Sequence, residues 1–122
     1  MKKLFKIVLA CGLTLICFSC YYNEFPEEGE EIIIDPTEDV SFASDIIPIF
    51  SSDNCAQCHN ATLDPDLRAG NEYGSLVPEY VTANNANGSK LYTKLAVDGH
   101  RDLDDTSLAL IKEWINRGAE NN

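Results

Sequence analysis

Cys55-Ala56-Gln57-Cys58-His59 is the stretch of this chain with the most specific chemistry. Two thiols three residues apart on one helical turn can each add to a vinyl group of the same porphyrin. The imidazole that follows directly can then reach the iron from one face. This spacing reads as the covalent attachment site of a c-type haem, with Cys55 and Cys58 as thioethers and His59 as the proximal iron ligand. Three other chemistries use closely spaced cysteines. A structural zinc site needs two further ligands at matching spacing, which are lacking once the N-terminal segment is set aside as below. A thioredoxin-like pair wants a βαβ setting and has no use for the trailing histidine. A disulfide across two intervening residues is strained.

The N-terminus points to export, which suits haem attachment outside the cytoplasm. Lys2, Lys3 and Lys6 precede the apolar run Ile7–Phe18, which is shorter than the roughly 20 residues of a transmembrane helix and is flanked like a secretory signal. The run ends at Ser19-Cys20, a small residue directly before a cysteine, with polar sequence beyond. That pattern resembles the lipobox of bacterial lipoproteins and marks Cys20 as the lipidated first mature residue, with Cys17 as the alternative. The expected organisation is a lipoprotein signal peptide over 1–19, an acidic tether over 20–40 and a folded domain over 41–122. All five cysteines are then accounted for: Cys11 and Cys17 leave with the signal, Cys20 carries lipid, and Cys55 and Cys58 carry haem.

Charge narrows the partners. The full chain has 20 acidic and 9 basic residues, a formal net charge of −11. Without Lys2, Lys3 and Lys6 the balance is 20 against 6, or −14. Such a surface repels phosphate backbones, so nucleic acid is excluded as a partner. It favours a protein with a basic docking face, whose approach the acidic field accelerates. The acidic residues concentrate between Glu24 and Asp39, interrupted by Pro26, Gly29 and Pro36. This composition does not order itself, Ile32-Ile33-Ile34 being the one piece able to lie against the domain. An acidic stretch after the lipidated cysteine also resembles the surface-export signals of some bacterial lipoproteins.

Downstream the pattern is helical throughout. Ser44-Asp45 is the expected cap of a helix carrying Ile46, Ile47, Ile49 and Phe50, with Pro48 in its first turn. A second short helix is expected over Asn71–Val77, and a third after Ser89 with Leu91, Tyr92 and Leu95. Thr82–Gly88, rich in Asn and Gly, reads as irregular. The last helix is capped by Asp104 or Asp105, shows Leu108, Ile111, Trp114 and Ile115 on one face, and stops at Gly118. A domain of about 80 residues is small for a core of side chains alone, and a bound cofactor would add apolar volume.

Ile47-Pro48-Ile49-Phe50-Ser51, the Asn54–Asn60 segment around the cysteines, Leu91-Tyr92-Thr93-Lys94-Leu95 and Trp114-Ile115-Asn116-Arg117-Gly118-Ala119 together resemble a family of small class I cytochrome c domains, common in exported and lipid-anchored bacterial proteins. The resemblance covers most of residues 42–120. It implies an all-α cytochrome c-like fold around one covalent haem, with an N-terminal helix crossing the C-terminal one and the haem held between. Such domains usually take a methionine from the loop before the last helix as the sixth iron ligand. Here the only methionine is Met1, which leaves with the signal. In the corresponding stretch, Val97–Leu103, His100 is the strong iron ligand. His59 with His100 is therefore the expected axial pair, the alternatives being an open or water-bound position, or Lys90 or Lys94. Trp114 and Tyr92 read as core or haem-contact aromatics, Asp64-Pro65-Asp66 as a turn, and Arg68 and Arg101 as solvated surface, with contact to haem propionates as the alternative.

The function this supports is single-electron transfer between redox partners in the cell envelope, with no substrate-transforming catalytic group. Its rivals are a haem-based module that senses a small ligand at an open iron position, and an accessory subunit of a larger complex.

Overall fold

The computed structural model describes residues 32–122, which form one packed unit beginning at Ile32. The signal segment, Cys20 and the tether as far as residue 31 lie outside the described residues. Among the described residues every regular element is helical, and no helix is long and apolar enough to cross a membrane.

A wide π-helical segment, Phe42–Ile46, runs directly into α1, Ile47–Ser52. The helix thus has its N-cap three residues before the expected one at Ser44-Asp45. Ser41 is the cap: its hydroxyl accepts from the Ser44 amide at 3.2 Å, and the Asp45 carboxylate reaches back to accept from the Ser41 amide at 2.7 Å. This reciprocal pair satisfies two amides that a helix start leaves free. The π spacing has a local reason in Pro48, which has no N–H and whose ring would strike the carbonyl four residues back in a regular α-helix. The Ile47 amide instead bonds to the Phe42 carbonyl, five residues back.

Beyond the cysteine motif come α2, Glu72–Leu76, α3, Lys90–Ala96, and α4, Asp105–Asn116. Asp104 caps α4 through the Ser107 amide at 2.9 Å. Ser89 occupies the N-cap position of α3 but does not cap with its side chain. Its buried hydroxyl turns inward, donating to the Asn85 carbonyl at 2.8 Å and accepting from the Thr82 amide at 2.9 Å, so it fastens the irregular 82–88 loop instead.

The end of α4 explains the Trp-Ile-Asn-Arg-Gly-Ala ending. The Gly118 amide bonds to Ile115 O and the Ala119 amide to Trp114 O, at 3.1 and 2.9 Å. This is the double bond pattern of a Schellman stop, with glycine at the left-handed position, here at φ +111°. Ala119 is buried, and its carbonyl accepts from the Tyr73 hydroxyl at 2.9 Å.

Core packing joins the two ends of the unit. Phe42 lies against Trp114 with ring centroids 5.0 Å apart and meets Tyr73 edge-on at 5.3 Å. Ile46, Ile111 and Ile115 are fully buried around them. The Asn122 carbonyl accepts from the Ala43 amide at 2.9 Å, fixing the last residue to the first turns.

Composition assigns residues 20–40 to a tether, yet 34–40 pack on this unit. Val40 is buried and Ile34 half-buried, while Arg117 donates to the carbonyls of Asp35 and Glu38. The hydrogen bonds of this docking go to backbone carbonyls, with two apolar groups beside them, and Arg117 also acts on the Asp35 carboxylate through its charge; composition does not reveal such contacts. Of the three isoleucines only Ile34 lies against the core, Ile33 being 84% exposed.

Candidate functional site

The two cysteines and the adjacent histidine sit on a tight turn between α1 and a long loop. Asn54 is left-handed at φ 53°, ψ 35°, a conformation asparagine tolerates better than most residues. It reverses the chain after α1 and starts a 3₁₀ turn, Cys55–Gln57. The Cys58 and His59 amides both bond to the Cys55 carbonyl, at 3.2 and 2.9 Å. The His59 carbonyl then accepts from the Leu67 amide at 3.0 Å, folding the following loop back over the turn. Both thiols are free, Cys55 half-buried and Cys58 exposed. Burial, aided by the Asp53 carboxylate, pushes the Cys55 thiol up, keeping it protonated at neutral pH.

Cys55, Cys58, His59 and His100 all line one cavity of about 800 Å³. That size lies within the range of cofactor sites. Its walls are mainly apolar: Ile49 and Phe50 from α1, Leu76 from α2, Leu91 and Leu95 from α3, Leu63, Pro65 and Leu67 from the loop after His59, and Leu103. No residue of α4 lines it. The cavity therefore lies beside the contact of the N-terminal and C-terminal helices, where the family resemblance implied a cofactor held between them. Trp114 and Phe42 fill the space there, with the Trp114 indole N–H satisfied by the Glu120 carbonyl at 2.9 Å.

The two imidazoles, 41 residues apart in sequence, face each other with ring centroids 5.8 Å apart and planes inclined at 71°. His59 Nδ1 is buried and has no hydrogen-bond partner. A buried nitrogen without a partner is costly unless another group engages the ring. The donor set and the apolar walls fit an iron porphyrin. Among the described residues no three His, Cys, Asp or Glu side chains converge as a site for a bare metal ion.

The cations near the cavity are engaged. Lys90 pairs with Glu79 at 2.7 Å and Lys94 with Asp98 at 3.1 Å. Arg101 is exposed, as the sequence reading has it, yet it lines the cavity and donates to the Asp53 carbonyl at 2.6 Å, a tie across 48 residues. Arg68 is half-exposed and bound to Asp66 at 2.6 Å; that bond holds the Asp66 carboxyl down at about 2. Asp64 and Pro65 line the cavity, whereas the sequence marks them only as a turn. Tyr80 also lines it, in an irregular segment after α2 where no periodicity marks it, with the Lys90 ammonium 5.5 Å from its ring centre. Tyr92 is half-buried against the core. Cys20 lies outside the described residues.

Comparison with known protein families, with curated proteins and with solved structures finds no match for this chain.

Proposed function

We propose that this chain is a monohaem c-type cytochrome of the small class I type, which passes single electrons between partner proteins in the cell envelope and is held to a membrane by lipid on Cys20. The observation that carries the reading is the convergence of Cys55, Cys58, His59 and His100 on one apolar cavity of about 800 Å³. When bound, haem supplies one-electron exchange at its iron. Cys55 and Cys58 hold the macrocycle covalently, and His59 supplies the proximal nitrogen. His100 would supply the second; its ring lies 5.8 Å from that of His59. The leucine, isoleucine and phenylalanine walls keep water from the macrocycle. The acidic surface, at −14 for the chain without its signal lysines, draws in a basic partner.

The rival reading, a sensor with an open iron position, is separated by one spectrum. The reduced protein is recorded with and without carbon monoxide. A carrier with both axial positions filled gives the same spectrum in both cases. A rapid shift on adding the gas replaces the carrier reading with ligand sensing.

A further inference from the structure

Resting on the haem reading above, we infer that Arg101 is the positioning residue of the site: its guanidinium clasps the loop bearing His100 to the turn bearing Cys55, Cys58 and His59. The His100 loop leaves α3 through a left-handed Gly99, φ +59°. On its α3 side it is held by the His100 amide, which donates to the Lys94 carbonyl at 3.1 Å. On its far side Leu103 is buried. Neither supplies a hydrogen bond to the cysteine turn. Arg101 does, donating from Nη2 to the Asp53 carbonyl at 2.6 Å.

The acceptor is well chosen. Asp53 closes α1, and the carbonyls at a helix end have no partner within the helix. A guanidinium is a favoured donor to such groups. The next residue, Asn54, is the left-handed pivot from which Cys55 and His59 hang. Arg101 thus adjoins one histidine in sequence and grips the pivot of the other. Its charge also acts on the cavity, opposing the upward push that burial and Asp53 exert on the Cys55 thiol. His100 itself is exposed and follows a glycine. Without the clasp the loop keeps the His100 amide bond and the burial of Leu103 but loses its hydrogen bond to the turn.

The test compares wild type, Arg101→Gln and Arg101→Lys by two measurements on the full exported chain. Hydrogen–deuterium exchange is read by mass spectrometry over residues 97–103 and 53–59, and needs no haem. In Arg101→Gln both segments should exchange at least severalfold faster, while α4 stays as protected as in wild type. The second measurement is the electron paramagnetic resonance of the oxidised protein. Arg101→Gln should convert much of the low-spin signal to high-spin, and Arg101→Lys, which keeps a cationic donor, should restore most of it. Unchanged exchange in both segments overturns the clasp, whether or not haem is present. A low-spin signal identical in wild type and Arg101→Gln overturns it as well. Protein without covalent haem would instead refute the haem reading, and exchange alone would then decide the clasp.

Discussion

Replacing Phe42 by alanine should uncouple the two ends of the domain at a cost that its surroundings define. The side chain is 2% exposed, and an aromatic residue of this kind buries roughly 150–250 Å². At about 25 cal/mol per Å², less the part an alanine retains, the transfer loss is about 3 kcal/mol. Two ring contacts go with it, to Trp114 at 5.0 Å and to Tyr73 at 5.3 Å, and each such pair adds roughly 0.5–1.5 kcal/mol. The expected loss is about 4 kcal/mol, in line with buried Phe→Ala changes generally. A domain with a total stability of about 5–15 kcal/mol then sits near its limit. Urea unfolding is followed by the fluorescence of Trp114, the one tryptophan of the chain and a direct neighbour of the deleted ring. Phe42→Leu, which keeps most of the volume, should cost about 1–2 kcal/mol. A loss below about 1 kcal/mol for Phe42→Ala, with unchanged urea dependence, would show that Phe42 does not hold the terminal helices together.

His100→Ala should open one side of the iron: the oxidised spectrum turns high-spin and the reduced protein takes up carbon monoxide, whereas a spectrum like wild type would remove His100 from the ligand pair. Asp66 should titrate near 2 in a carbon-13 NMR experiment and return toward the ordinary aspartate value in Arg68→Gln. The sign follows from a depressed folded-state value: the stabilisation is complete above the unfolded value of about 4 and disappears as pH falls through about 2. An Asp66 midpoint near 4 in the wild type would contradict the ion pair. Labelled palmitate should enter the wild type and be absent from Cys20→Ala, and retained label would move the acceptor to Cys17 or refute lipidation.

Much of this architecture can be read from local chemistry. The α4 helix is legible at both ends because Asp104 caps it and Gly118 adopts the positive φ that stops it. The short helix near Asn71–Val77 and the Asn- and Gly-rich irregular 82–88 stretch also fall where the sequence places them. The start of the first helix is not, because its cap combines Ser41 with a carboxylate four residues on, and Pro48 is accommodated by π turns that no period of 3.6 describes. The docking of residues 34–40 escapes composition because it depends on Arg117 reaching two backbone carbonyls from 79 and 82 residues away. At the site, the four residues the sequence singles out, Cys55, Cys58 and His59 by spacing and His100 by its place before the last helix, line one cavity. Tyr80 and Leu63 carry no sequence signal, because they reach the cavity from irregular segments that no periodicity marks.

The central claim is that Cys55 and Cys58 bind haem covalently. Intact-mass spectrometry of the denatured protein, produced in a host competent for c-type cytochrome maturation, tests it most directly. A mass increase of one haem per chain is expected, surviving denaturation and acidic organic extraction and lost in the Cys55→Ala, Cys58→Ala double variant. A wild-type chain with two free thiols and no added mass, or a haem that extracts into the solvent, would contradict it.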